Sequence, residues 1–468
     1  MDLTSQGYEL YSNKAILAPM VRAGRTPLRM QTLDYGADVV YTEEIIDQKL
    51  LACQRKVNTT MDCIDYAQND DIVLRICNAE RQKCVLQIGT NSGEGAAGVA
   101  KLVGTDVAAI DVNMGCPKAF SVHAGMGAAL LTQTDKVKEI LTSLKAAAQV
   151  PISCKIRVLN DPSLTLNLVR EIEKCGVSAI GVHGRKRNER NPDKVRIEEI
   201  REVARTVQVP IIANGLSDEI VKYSDIAEYK EKCAVSSVML ARRALWTPSI
   251  FRKEGLLTKE EEISDFLDKA CEFEEQCAQT KYCIQRILTS TAHPKVQSTV
   301  SAGSLLEICR IWDKTPKYEH EKNERKRKSC KRKPEEERDE HGALIIDVSF
   351  PKKKLRDAVH NVLTPKQALQ DYLREIHAPM PVYTRILNPV NKKYEAIIEV
   401  LGKKFHSTIP QPNIKMAEQV ASLAALIGLN LRDRLPARMR QTMAPVGMAN
   451  WQQEGFQELR YGHVQHQV

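Results

Sequence analysis

Eight short apolar runs punctuate the first half of the chain, each closing on Gly, Pro or polar residues. They are AILAPM (15–20), DVVYTEE (38–44), CVLQIGT (84–90), AIDVNMGC (109–116), ISCKIRV (152–158), AIGVHGR (179–185), IIANG (211–215) and SVMLARR (237–243). They read as apolar throughout, not alternating, and so as strands of a parallel sheet covered on both faces. Between them, VKEILTSLKAAAQ (137–149), TLNLVREIEKCG (165–176) and RIEEIREVARTVQ (196–208) repeat apolar positions at i, i+3, i+4 spacing, the period of a helix with one buried face. Eight strand–helix units in about 250 residues is the size of a (β/α)8 TIM barrel, an α/β fold, expected here over residues 1–255. A doubly wound sheet is the competing arrangement. No G-x-G-x-x-G follows the first run, and GTNSGEG (89–95) follows the third with the wrong spacing.

The pattern changes on either side of these units. Residues 51–83 are long for a connection and carry a further run, DIVLRI (71–76), which predicts an insertion over the barrel mouth. Residues 256–320 keep a helical period with no strand signal and predict a small helical domain. From 321 to 360 the composition predicts a charged linker, because EKNERKRKSCKRKPEEERDEHG (321–342) cannot build a core. Within it PKKKLR (351–356) resembles a nuclear-import signal, with a plain solvated linker as the alternative. Order returns over 361–430. PKQALQDYLREI (365–376) reads as a helix, VYTRILN (382–388), KYEAIIEVLG (393–402) and KKFHSTIP (403–410) as strands, and IKMAEQVASLAALIGL (414–429) as a second helix. An α-β-β-β-α order ending in an Ala-rich helix is the layout of a double-stranded-RNA-binding domain. Residues 431–468, rich in Gln and Arg, predict a disordered tail.

Charge sharpens this division. The net excess of +9 lies entirely in residues 321–468, which hold 26 Lys+Arg against 17 Asp+Glu. A neutral body with a basic appendage points to a polyanion partner. Thirteen cysteines without paired spacing argue against a disulfide framework, and no CxxC pair nominates a metal site. Reduced thiols fit a cytoplasmic compartment, or a nuclear one. No run has the length of a membrane span, and MDLTSQGYEL lacks the form of a signal peptide, so no membrane partner is expected.

In a TIM barrel the C-terminal strand ends carry function. Here those ends present Pro19 and Met20, Glu43 and Glu44, Gln87, Asn113 with Cys116, Lys155 with Arg157, His183 with Arg185, Asn214 with Gly215, and Arg242 with Arg243. A purely structural barrel has no need of so many polar groups at one mouth. ANGLSD (213–218) and MLARRAL (239–245) suit a phosphate cradle on the last two strands. The Lys155 ammonium suits a reduced, anionic flavin ring, and the amides of Gln87 and Asn113 suit flavin or uracil edges. Cys116 sits between Gly115, read as giving a tight turn, and Pro117, which stiffens the start of the next loop. The alternative for Cys116 is a small buried hydrophobe.

LAPM at the first run, DVNMGCPK with GMGAALL after the fourth, CKIRV, VHGR, ANG and MLARRAL together resemble the tRNA-dihydrouridine synthase family. The resemblance implies an FMN-bearing barrel and a helical domain, NADPH or NADH as reductant, and reduction of a D-loop uridine in tRNA. It assigns Cys116 to catalysis and Pro19, Met20, Gln87, Lys155, His183, Asn214, Gly215, Ala241 and Arg242 to FMN. The chain departs from the family at Ala241, where glycine is usual, and at Arg243, where a small residue is usual. Asn113, Arg157 and Arg185 are expected on the substrate side, with His123 sharing a proton relay. In the RNA-binding domain, IKMAE (414–418) keeps only Lys415 of the usual Lys-Lys-x-Ala-Lys cluster, and NPVNK (388–392) replaces the usual Gly-Pro-x-His loop. Lys366, Arg374, Arg385, Lys403, Lys404 and Lys415 are the expected RNA contacts, and a monomer is the expected state. Two other functions stay open on these residues: an FMN barrel acting on a free pyrimidine, and a non-enzymatic tRNA-binding protein that retains a barrel.

Overall fold

The computed structural model describes residues 3–68, 71–190, 192–331, 338–339, 341–348, 364–387 and 392–435. It comprises two compact units, residues 1–329 and 330–468.

All eight apolar runs are strands of the first unit: β1 (Ala15–Leu17), β2 (Val39–Tyr41), β3 (Cys84–Gly89), β4 (Ala109–Met114), β5 (Ile152–Arg157), β6 (Ala179–His183), β7 (Ile211–Asn214) and β8 (Ser237–Leu240). Every neighbouring pair is parallel, and pairing of β2 with β3 (Val40↔Cys84) and of β1 with β8 (Ala15↔Val238) closes the ring. The fold is a TIM barrel. The strands do alternate, although not between core and solvent. One series faces the helices and is aliphatic: Leu17, Val40, Leu86, Ile110, Val112, Cys154, Ile156, Ile180, Val182, Ala213 and Val238 all join the main core. The other series faces the lumen. At its lower end Ile16, Val39, Tyr41, Val85, Ala109, Ala179, Ile212 and Met239 form a separate cluster, sealed by Tyr11 from the helix Leu3–Tyr11. Higher up the same series turns polar, through Gln87, Asp111, Ser153, Lys155 and Asn214.

The insertion forms a three-stranded antiparallel sheet, Gln54–Asn58, Cys63–Gln68 and Asp71–Cys77. Its third strand meets the helix Thr26–Asp34, where the Arg75 carbonyl accepts from Thr26 Oγ1 (3.0 Å), and lines a pocket with Gly24, Thr42 and Glu43, which lie beyond β1 and β2. Other ties reach the N-terminal side of the strands. The Tyr66 hydroxyl donates to Asp106 ahead of β4 (2.6 Å), as does Arg55 (2.6 Å), while Tyr66, Leu74 and Ile76 enter the main core. Five helices follow β8 from Lys259 to Lys331, and Phe266, Leu267, Ile284, Ile287 and Ile308 share the barrel's core. The last of them, Thr315–Lys331, runs into the stretch expected to be a linker. Ion pairs Lys317–Glu321 (2.7 Å) and Arg327–Glu324 (2.7 Å), with Arg325 on the Cys271 carbonyl (2.7 Å), hold it helical.

In the second unit, helix Pro365–Glu375, strands Val382–Leu387, Tyr394–Val400 and Lys403–His406, and helix Ile414–Gly428 reproduce the expected α-β-β-β-α order. A fourth strand, Leu344–Ile345, pairs in parallel with Lys403–His406, and Ile346 and Val348 complete the core. The linker reading missed this strand because its two residues carry no pattern. Leu435, within the stretch expected to be a disordered tail, is buried in the same core. PKKKLR, most of NPVNK and residues 436–468 lie outside the described residues.

The helix Thr26–Asp34 is pinned by one buried ion pair. Arg29 forks onto both Glu80 oxygens (2.7 Å each) and donates to the carbonyls of Gly24 and Arg75 (2.7 Å each), with both side chains almost fully buried. Arg29→Ala strands the Glu80 charge and should cost about 3–5 kcal/mol in urea unfolding.

Candidate active site

The polar upper lumen is one connected structure. Asp111 is buried and accepts from Ser153 Oγ (2.7 Å) on one oxygen and from Gln87 Nε2 (2.8 Å) on the other. Desolvation raises its pKa to about 6, against the two hydrogen bonds and the Lys155 charge. Asn113 Nδ2 donates to Gln87 Oε1 (3.2 Å), and Asn113 Oδ1 accepts from the N–H groups of Gly115 (2.9 Å) and Cys116 (3.0 Å). The chain therefore leaves β4 on an Asn-headed turn. Gly115 is not the residue that makes it, since its φ is not positive and a side chain there meets only ordinary contacts. A glycine is required instead at Gly127 (φ 57°), in a later turn that packs on this one, where a Cβ would stand 2.6 Å from the Cys116 carbonyl oxygen. Ala128 N–H donates to that same oxygen (2.9 Å).

Cys116 is half-buried. Desolvation raises its thiol pKa, and the neighbouring Glu44 carboxylate adds to the rise against Lys118 and Ser121. Lys155 lies in the lumen, where desolvation and then Arg157 lower its pKa to about 8, and it makes no hydrogen bond or ion pair among the described residues. His183 is held neutral by burial and by the cations Lys155, Arg157, Arg185 and Arg242. Two glycines keep space beside these groups. A Cβ at Gly181 would meet Lys155 Cγ at 3.1 Å, and one at Gly215 (φ 135°) would meet the His183 ring at 3.1 Å.

Several expected ligand contacts do other work. Arg157 is buried and donates to the carbonyls of Gly115 (2.9 Å), Lys186 (3.0 Å) and Glu189 (3.3 Å). Arg185 holds the carbonyls of Asp193 (2.6 Å) and Gly215 (2.9 Å). Both arginines thus brace the loops after β4, β6 and β7, where the sequence reading had them facing substrate. Asn214 Nδ2 ties β7 to the Met239 carbonyl (2.9 Å). Arg242, behind Ala241, remains part-exposed beside Asp218 (3.5 Å) and over the Trp246 ring, while Arg243 holds the Ser217 carbonyl (3.1 Å). Pro19 and Met20 lie just past β1, Met20 packed on the core. His123 ends the short helix Ala119–His123.

In the second unit the expected RNA contacts divide. Glu418, nearly buried, pairs with both Lys366 (2.6 Å) and Arg385 (2.8 Å), and Arg374 pairs with Asp371 (2.7 Å). Lys403, Lys404 and Lys415 are exposed and form no ion pair among the described residues.

A TIM barrel with a thiol beyond β4, an unpaired lysine on β5 and a separate α-β-β-β-α unit defines a two-part class: a ligand-binding barrel with an RNA-binding module. Residues 16–341 match the dihydrouridine synthase (Dus) family, and residues 365–429 match the double-stranded RNA binding motif. The chain belongs to the dihydrouridine synthase family. It is similar to the tRNA-dihydrouridine(20) synthase (NAD(P)+) of Schizosaccharomyces pombe, 40% identical over 309 residues that make up 64% of each chain. The match thus spans just under two thirds of that relative's length. The protein of the same name from Saccharomyces cerevisiae is 35% identical over 298 residues, 59% of this chain and 78% of that one. A crystal structure of a tRNA-dihydrouridine(20) synthase dsRBD domain is 28% identical, covering 20% of this chain and 93% of that one, with a TM-score of 0.18.

The Lys155 amine sets a measurable pH signature. Its pKa is 10.5 unfolded and about 8 folded, so the unfolded chain binds more protons between these values and stability rises with pH there. In the ligand-free protein, Lys155→Met should remove that slope and raise stability at neutral pH by about 1–3 kcal/mol, read by urea titration across pH.

Proposed function

We propose that this protein reduces a uridine of the tRNA D-loop, position 20, to 5,6-dihydrouridine, with FMN in the barrel and NAD(P)H as reductant. The observation that carries the reading is a thiol whose pKa burial raises, at the barrel mouth, on the same rim as a part-buried lysine whose amine makes no hydrogen bond or ion pair among the described residues. The names of the fungal relatives support both the position and the reductant.

The residues fit FMN. Lys155 offers a cation to an electron-rich ring, neutral His183 offers a ring nitrogen, and the space kept by Gly181 and Gly215 leaves room beside them. Pro19 and Met20 would lie by the ring, with Asn214 and Gly215 beside it, and Arg242 and the main chain at Ala241 would hold the phosphate; Gln87, also expected on FMN, has both amide atoms engaged by Asn113 and Asp111. Bound and reduced, FMN supplies hydride to uracil C6, which the C4 carbonyl makes electrophilic.

What the chain itself adds is a proton at C5. A free thiol has a pKa of about 8.5, and Cys116 lies above the ordinary value, so it is protonated at neutral pH. A carboxylic acid in its place would be ionised already. The target base must leave its stack to reach the mouth, at a cost of a few kcal/mol that an already unstacked D-loop reduces. Contacts from the second unit to the tRNA backbone, through Lys403, Lys404 and Lys415, offset that cost.

Cys116→Ala should still bind FMN and oxidise NADPH, while single-turnover reduction of tRNA falls by at least about a hundredfold. Reoxidation of the reduced protein by tRNA, followed in the visible spectrum, gives the rate. An unchanged rate removes the acid role. Truncation after Ser329 should weaken tRNA binding about tenfold or more and flatten its salt dependence; free uracil as an equally good substrate would favour a pyrimidine-reducing barrel instead.

A further inference from the structure

Two fixed ends bracket the amides of Gln87 and Asn113. At one end the N–H groups of Gly115 and Cys116 can only donate, so the Asn113 atom that meets them at 2.9 and 3.0 Å is the oxygen. Asn113 Nδ2 must then face Gln87, which meets it with Oε1 at 3.2 Å. Gln87 is left with Nε2 for its other neighbour, and that neighbour is the Asp111 carboxylate at 2.8 Å. The second Asp111 oxygen is taken by the Ser153 hydroxyl at 2.7 Å, behind which stands Tyr11 OH at 3.0 Å. Every donor in the string therefore points toward Asp111.

We infer that Asp111 is a positioning residue for Cys116: as the acceptor that ends the string, it fixes the orientation of Gln87, hence of Asn113, hence of the main chain carrying the thiol. The inference rests on the reading of Cys116 as the proton donor. Burial is consistent with it, since Asp111, Gln87 and Ser153 are all nearly inaccessible, so that solvent competes little at the Asp111 end of the string. The charged and titratable groups around Asp111 are Lys155 and Cys154 on β5, Tyr11 on the first helix and Tyr41 on β2. Of these only Lys155 is a cation at neutral pH, and it favours the ionised, acceptor-only carboxylate. With its pKa near 6, Asp111 is ionised in neutral solution.

The string can be reversed by exchanging its ends. In Asn113→Asp the new carboxylate still accepts from the Gly115 and Cys116 N–H groups, yet it offers Gln87 an acceptor. Gln87 then faces acceptors on both sides, and one hydrogen bond must be lost. Adding Asp111→Asn turns Gln87 over. The new amide nitrogen at position 111 donates to Gln87 Oε1, Gln87 Nε2 donates to the new carboxylate at position 113, and Ser153 still finds an acceptor oxygen.

The test is made on the FMN-loaded full chain at about pH 8, above the pKa of Asp111. Three quantities are read for the wild type, N113D and the D111N/N113D pair: thermal midpoint, amide exchange of the Gly115–Cys116 segment, and single-turnover reduction of tRNA. Expected is at least tenfold faster exchange and at least hundredfold slower reduction in N113D, with at least tenfold recovery of both in the pair. A pair that behaves like N113D, whether folded and slow or unfolded, overturns the inference, as does an N113D protein that matches the wild type. Because amide exchange does not depend on turnover, recovery of exchange in a protein whose wild type leaves tRNA unreduced would count against the proposed reaction and not against the string.

Discussion

A closed parallel barrel gives its inward side chains no water, so any polar group placed in the lumen must find its partners among the other strands. That constraint organises the first unit. The lower lumen avoids it with Ile16, Val85, Ile212 and Met239, packed beneath Tyr41 and over Tyr11. The upper lumen accepts it, and Asp111 draws hydrogen bonds from β3 and β5 at once. Parallel register makes this possible, because Gln87, Asp111 and Ser153 stand opposite one another on neighbouring strands. Lys155 is the exception. Its amine is part-buried without a hydrogen bond among the described residues, and a perturbed group of this kind in a cleft marks a candidate functional site.

Around the mouth, the same economy of partners fixes the loops. Arg157 and Arg185 hold five main-chain carbonyls between them, so the segments after β4, β6 and β7 are anchored to strand ends and not to each other alone. The cost is a concentration of positive charge, which adds to burial in keeping His183 neutral and in lowering the pKa of Arg157 to about 10. A mouth of that character favours polyanions and phosphate-bearing ligands, while burial, with the Glu44 carboxylate adding to it, keeps the immediate neighbourhood of Cys116 unfavourable to a thiolate.

The barrel was legible in the sequence because its outer series is aliphatic and each strand ends in a recognisable break. The strand-end residues were legible for the same reason: a strand's last residues are fixed once its run is found. What those residues do was less legible. Arg157 and Arg185 were read by charge, and only tertiary structure shows that their N–H groups meet carbonyls. Asp111 and Ser153 were passed over inside apolar runs, and Tyr11 ahead of the first run, although a lone Asp in such a run is itself a signal of a buried partner. The turn before Cys116 was credited to Gly115, when the Asn two residues earlier carries it. In the second unit, Leu344–Ile345 is too short to show a period, and Glu418 counted as a missing base before its two cationic partners were known.

The seal at the base of the barrel has a consequence for how the chain is made. Ser237 Oγ donates to the Tyr11 carbonyl (2.5 Å) and accepts from the Lys14 N–H (2.9 Å), and Ala15 stands opposite Val238. The first strand therefore cannot be paired on both sides until the eighth has left the ribosome. At about 5–20 residues per second, the intervening stretch leaves β1 with an open edge for some tens of seconds. During that interval the nascent chain carries a half-finished ring, and protection of its edge falls to whatever holds the chain on the ribosome.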